Sequence, residues 1–168
     1  MKALVTGGTG TLGRLVVPRL QAAGFDVRVL SRHSQEATTG IDFMTGDLAA
    51  GQGIEAAVAE TGIILHLAGR MKGNEDETRR LVEAASHAGT QHLIYISVVG
   101  ADRIPIISGI DRAMFGYYGS KLAAEQVVAR SGLRWTTLRA TQFHESMVKL
   151  VEQMAKMPVV PVPAGWRF

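Results

Sequence analysis

A chain of 168 residues that is 46% hydrophobic and 20% charged has the length and composition of one domain with a sizeable core. Its 18 Lys and Arg against 15 Asp and Glu leave a formal charge of +3, scattered along the chain, so no basic stripe suits a nucleic acid. With no cysteine, disulfides, a thiol nucleophile and zinc–thiolate sites are excluded, and no apolar run approaches a membrane span.

The first strand-like run, Ala3–Thr6, leaves no space ahead of it for a charged leader. The expectation is therefore a cytoplasmic protein. The run passes straight into Gly7-Gly8-Thr9-Gly10-Thr11-Leu12-Gly13, and a helix is predicted over Thr11–Ala23, with Leu12, Leu15, Val16 and Leu20 on one face. Glycines 8, 10 and 13 spell G-x-G-x-x-G, and 7, 10 and 13 a variant of it. Between strand and helix, each glycine has a physical reason to be there, whether a tight turn, close backbone approach to a pyrophosphate, or close helix–strand packing. The free N–H groups at the helix start then face the phosphates, where the helix dipole favours negative charge. The alternative is a purely structural glycine turn.

Further strands are predicted at Phe25–Leu30 and Asp42–Thr45, a short helix at Gly53–Glu60 and a central strand over Ile63–Ala68. A helix over Asn74–Ala88 carries Leu81, Val82 and Ala85 on one face. His92–Ser97 then reads as a strand, Tyr117–Ser131 as a long helix and Arg134–Leu138 as the last strand. Arg139–Met157 reads as mostly helical, and the tail from Pro158 as irregular. This alternation predicts a doubly wound, mainly parallel α/β sheet with helices on both faces. It divides into a cofactor-binding core over residues 1–140 and the start of a substrate-binding segment over 141–168.

Past the second strand the chain reads Ser31-Arg32-His33, without the carboxylate that binds an NAD ribose 2′-hydroxyl. Arg32 suits a 2′-phosphate and Ser31 can donate to it, which favours NADP(H) while leaving NAD(H) open. A solvated loop cation is the alternative for Arg32. Asp47 and Leu48, after the third strand, suit an adenine amine and ring face; Asp47 equally suits a turn or helix cap. Ala68 and Gly69 are small enough to let a ribose approach the backbone. His66 reads as a core histidine rather than a catalytic one.

Tyr117 and Lys121 are four apart and share a helix face. The ammonium is expected to lower the phenol's pKa from about 10 towards acid–base use, with Ser97 orienting a substrate carbonyl. Lys121 would also bond the nicotinamide ribose. The alternative is an amphipathic helix that happens to begin with aromatics, and Tyr118 reads as packing.

These motifs, with His66-Leu67-Ala68-Gly69, Tyr117-Tyr118-Gly119-Ser120-Lys121-Leu122-Ala123-Ala124-Glu125 and Leu138-Arg139-Ala140-Thr141-Gln142-Phe143-His144, resemble the short-chain dehydrogenase/reductase superfamily, and within it the atypical NmrA-like NAD(P)H-binding branch. The resemblance implies a Rossmann fold, a nicotinamide dinucleotide and Ser-Tyr-Lys roles for Ser97, Tyr117 and Lys121. The interval from Ser97 to Tyr117 is longer than in classical members. The family also continues beyond the position of Phe168, so the substrate lobe is expected to be incomplete. Gln142, Phe143 and His144 either line that lobe or cap the following helix. Ile104-Pro105-Ile106-Ile107 either folds over the nicotinamide or serves as core or interface. The resulting expectation is an NADPH-preferring reductase of a small carbonyl, quinone or similar acceptor, compatible with a homo-oligomer and without nucleic-acid or membrane partners. The competing expectation is a non-catalytic NAD(P)H sensor of the NmrA-like type, and a third is a flavin-type or sugar-nucleotide enzyme on the same fold.

Overall fold

Lys2–Thr6 (β1) has no exposed side chain, as a strand flanked on both edges and covered on both faces requires. The computed structural model describes residues 1–36, 38–104, 109–141, 143, 144, 148, 151, 152, 155 and 156; of residues 109–115 it describes the backbone. Chain order is β1, α1 (Gly13–Ala22), β2 (Asp26–Ser31), β3 (Ile41–Thr45), α2 (Ile54–Val58), β4 (Ile63–His66), α3 (Asn74–His87), β5 (His92–Val98), α4 (Gly109–Ala129) and β6 (Trp135–Ala140). The six strands form one sheet in the order β3-β2-β1-β4-β5-β6, and every neighbouring pair is parallel. This is the Rossmann-type arrangement. The order reverses between β1 and β4, opening a crevice at the strands' carboxyl ends.

Alternation along the strands separates two cores. Leu4, Leu30, Ile64, Leu93 and Tyr95 face α2, α3 and α4, meeting Ile54, Leu81, Ala85, Ala124 and Val128. Ala3, Val5, Val27, Val29 and Leu65 face the other way, onto Val16, Val17 and Leu20 of α1. The sheet is thus covered on both faces, with three helices on one side and, among the described residues, α1 on the other.

Among the boundaries that differ from the sequence expectation, three have a clear physical reason. The helix carrying the tyrosine begins at Gly109 rather than Tyr117, so Tyr117 lies two turns inside it. Gly109, Gly116 and Gly119 lower local helix propensity, and packing of α4 on α3 overrides it. The last strand runs on to Ala140, because Ser97 and Val98 of β5 pair with Arg139 and Ala140; these two residues are therefore not helical. The first helix begins at Gly13, since Thr11 and Leu12 are spent on the turn. Gln142, residues 105–107 and the tail from Pro158 lie outside the described residues.

No helix among the described residues is long and apolar enough to cross a membrane.

Candidate active site

The crevice at the carboxyl edge gathers residues from the entire sheet. Its lining includes Gly7, Gly10, Thr11, Leu12, Gly13, Ser31, Arg32, Asp47, Leu48, Ala68, Gly69, Ser97, Tyr117 and Lys121, that is, every anticipated site residue except Gly8. At Gly8 an added Cβ would lie 2.7 Å from Cγ1 of Val29, so this glycine serves strand packing rather than the crevice.

The glycine turn is shaped by its backbone, with Arg14 Nε donating to the Thr9 carbonyl at 2.8 Å. Gly7 has φ +72°, the left-handed region, and an added Cβ would lie 2.6 Å from the Ala68 nitrogen. At Gly13 a Cβ would fall 2.3 Å from the Gly7 carbonyl oxygen and 2.4 Å from the Gly8 Cα. Gly10 N–H donates to the Gly7 carbonyl at 3.0 Å, closing the turn. The N-cap residue of α1, Leu12, provides no side-chain cap, and Thr11, Leu12 and Gly13 at the helix start line the crevice. A cradle in which each Cβ would strike backbone fits a bound diphosphate.

At the β2 end, Arg32 is exposed and forms no hydrogen bond or ion pair with another described residue. Ser31 is buried, and its Oγ accepts from the backbone N–H of His33 at 3.3 Å. Asp47 Oδ1 accepts from Ala49 N–H at 2.8 Å, the turn-capping bond, and Asp47 also lines the crevice.

Arg70 was not anticipated. Its Nε pairs with Glu77 Oε1 at 2.9 Å, and a second guanidinium nitrogen lies 3.6 Å from Asp47 Oδ1. Burial pushes the Glu77 carboxyl up, and Arg70 opposes that shift. Arg70 follows Ala68-Gly69 past a strand's carboxyl end, and that position was the available signal. Glu77 and Asn74 gave none, since α3 reads as an ordinary amphipathic helix.

At the β5–β6 end, Ser97 is 4% exposed and its Oγ lacks a hydrogen-bond partner among the described residues. Such an atom costs free energy unless a ligand or water satisfies it. Lys121 is 3% exposed; its Nζ donates to the Ile96 carbonyl at 3.1 Å and lies 4.9 Å from the Tyr95 ring centre and 6.0 Å from that of Tyr117. Burial holds its pKa down to about 8, against the pull of Glu125 and Glu77. The Tyr117 phenol moves opposite to the sequence expectation: burial pushes it up, Tyr118 adds to the rise, and no cation among the described residues offsets it. The Lys121 ammonium, itself buried, lies 6.0 Å from the Tyr117 ring centre and does not offset that rise. Tyr118 packs edge-on against Tyr117, with ring centres 5.8 Å apart.

His66 is a core histidine. It is 1% exposed, with Nδ1 2.7 Å from Thr6 Oγ1 and Nε2 3.0 Å from Thr78 Oγ1, and burial with the Lys121 charge holds it down to about 3. Phe143 lines the crevice, whereas His144 is exposed. No group of three or more metal-ligating residues occurs among the described residues.

Comparison with known proteins agrees with this geometry. The NAD(P)H-binding family matches residues 7–156. A (4-alkanoyl-5-oxo-2,5-dihydrofuran-3-yl)methyl phosphate reductase of Streptomyces griseus is 30% identical over 83% of this chain and 47% of its own length. A short-chain dehydrogenase/reductase superfamily protein of Agrobacterium tumefaciens, solved with bound NAD, is 28% identical with a TM-score of 0.68, covering 83% of this chain and 48% of that one. The Escherichia coli NADPH-dependent quinone oxidoreductase, solved with NADPH, shares the fold at 23% identity and a TM-score of 0.75, over 92% of this chain and 53% of that one. The chain spans between 17% and 55% of the length of the curated relatives it matches. It belongs to the NAD(P)H-binding family, and its structural neighbours include a protein of the short-chain dehydrogenase/reductase superfamily.

Proposed function

We propose that the chain is the cofactor-binding part of a cytoplasmic, NADPH-preferring oxidoreductase that reduces a small carbonyl, quinone or similar acceptor. The observation that carries the reading is one crevice: it is lined at one end by the glycine turn and, at the other, by Ser97, whose buried hydroxyl has no partner among the described residues, with Tyr117 and Lys121. The cofactor, when bound, supplies hydride.

The chain's own residues do the rest. Gly7, Gly10, Thr11, Leu12 and Gly13 cradle the diphosphate, and Arg32 with Ser31 holds a 2′-phosphate. Asp47 and Leu48 take the adenine, while Ala68 and Gly69 admit the ribose. Ser97 donates a hydrogen bond to the acceptor oxygen. Tyr117 Oη gives that oxygen a proton as negative charge develops on it, and the Lys121 ammonium stabilises the phenolate left behind. A phenol held protonated by burial is in the right state to donate. Residues 141–168 are assigned to the start of the substrate-binding segment.

The decisive experiment is Tyr117→Phe, assayed by NADPH oxidation with a panel of carbonyls and quinones. Turnover is expected to fall by about 10²–10⁴-fold with NADPH affinity within about twofold, as loss of a proton donor requires. Unchanged turnover would remove Tyr117 from the reaction. A second reading, an NAD(P)H sensor without turnover, is favoured by one observation: no group among the described residues lowers the Tyr117 phenol. Tight NADPH binding with no turnover of any acceptor would select it.

A further inference from the structure

We propose that Asn74 is a positioning residue, which through Ser120 fastens the loop between β4 and α3 to the turn of α4 that carries Tyr117 and Lys121. The proposal rests on the preceding reading of that turn as part of the reaction site.

Asn74 is 2% exposed, and each polar atom of its amide is engaged. Oδ1 accepts from the Arg70 N–H at 2.9 Å, while Nδ2 donates to the Arg70 carbonyl at 2.7 Å and to Ser120 Oγ at 2.9 Å. The backbone N–H of Asn74 also donates to Ser120 Oγ, at 3.2 Å. This replaces the side-chain cap that Gly73, the N-cap of α3 at φ +81°, lacks. Ser120 is thus a cap delivered from another helix, one residue before Lys121.

The loop so fastened is the one that encloses the Lys121 ammonium. At Gly69 an added Cβ would lie 2.9 Å from Lys121 Nζ and 3.5 Å from Asn74 Oδ1, so loop backbone, amide and ammonium are stacked without spare room. Arg70, gripped at both its backbone polar atoms by Asn74, reaches outward to Glu77 and Asp47 at the adenine end. One amide therefore sets loop, lysine and Arg70 together, and a fully satisfied buried network of this kind holds a single arrangement. The other groups facing Lys121 are Glu77 and Glu125, the rings of Tyr95 and Tyr117, and His66, which is held neutral.

The test follows the Lys121 Cε resonance by NMR against pH, on the whole chain with no nucleotide added, alongside NADPH affinity measured by calorimetry. Ser120→Ala breaks the link while placing a good helix former at that position. The loop then loosens, water reaches Nζ, and the Lys121 midpoint is expected to rise by about half a unit or more towards the ordinary lysine value. NADPH affinity is expected to weaken roughly tenfold through misplacement of the site. Ser120→Thr keeps the hydroxyl and should restore both. Asn74→Ser is a second break of the same link and should move Lys121 in the same direction. A folded Ser120→Ala with an unmoved Lys121 midpoint would overturn the proposal, whatever its melting temperature. If Lys121 moves while neither protein binds NADPH, the functional reading fails and the positioning role stands.

Discussion

At the glycine end the crevice is made of backbone: a left-handed Gly7, a Gly13 without room for a Cβ, and the start of α1, which has no side-chain cap. At the lysine end it is made of side chains. Ser97 comes from β5, Tyr117, Ser120 and Lys121 from α4, and the enclosing Gly69, Arg70 and Asn74 from the segment after β4. The first arrangement depends on steric space, which tolerates almost no substitution. The second depends on burial and hydrogen bonding, which shift proton affinities and respond to single atoms. Binding a diphosphate calls for fixed dipoles, whereas proton transfer calls for tunable groups, and the two ends differ accordingly.

The contrast is broken most forcefully at the glycine end. Gly13→Ala places a methyl 2.3 Å from a backbone oxygen that cannot move without opening the turn. A loss of about 3 kcal/mol or more in denaturant unfolding is expected, with NADPH binding abolished. A mutant protein of unchanged stability would show that the turn yields.

Acid sharpens the comparison from the other side. His66 is depressed to about 3 in the folded chain against an unfolded value near 6.5, so its contribution is complete above about pH 6.5 and is lost as pH falls towards 3. Over that window the unfolded chain binds more protons, and stability should drop by up to about 1.4 kcal/mol per pH unit. Unfolding curves at pH 7.5, 6 and 5 measure the slope, and His66→Gln, which takes up no proton, should flatten it.

Arg32→Ala should weaken NADPH by roughly fivefold and leave NADH nearly unaffected, since a single exposed charge pair is worth about 1 kcal/mol. Equal losses for the two cofactors would detach Arg32 from the 2′-phosphate. The smallest effect is expected at Tyr95, whose ring is fully buried while its hydroxyl has no partner among the described residues. Tyr95→Phe should change stability by less than about 1 kcal/mol, in the stabilising direction, because removing an unsatisfied buried group costs nothing in hydrogen bonding. A large loss would reveal an ordered water on that hydroxyl.

The same difference governs what could be read from the chain. The glycine turn was legible because its residues are contiguous and its constraint is steric, so strand, turn and helix follow one another in sequence. All six strands were legible for a similar reason: each is a short local run rich in apolar or β-branched residues, set between helix or turn signals. The environment of Tyr117 was not. Spacing placed Lys121 on its face, but the direction of the phenol's shift depends on burial beneath segments some distance away in the chain, and no local pattern encodes that. Ser120 and Asn74 lie 46 positions apart and become partners only when α3 packs on α4. The glycines of α4 concealed its first two turns, because propensity is a weak prior where tertiary contact decides.

The place of β1 in the middle of the sheet has a consequence for how the chain is made. Residues 2–6 must wait for residues 63–66 before their second edge is paired. At a ribosomal rate of roughly 5–20 residues per second, that interval lasts several seconds, during which a strongly apolar strand is half-finished. Gly7 is held against Ala68, which leaves the ribosome later still. The most local motif in the sequence thus completes its shape only when distant chain arrives. Nascent-chain proteolysis should find the turn open until that point.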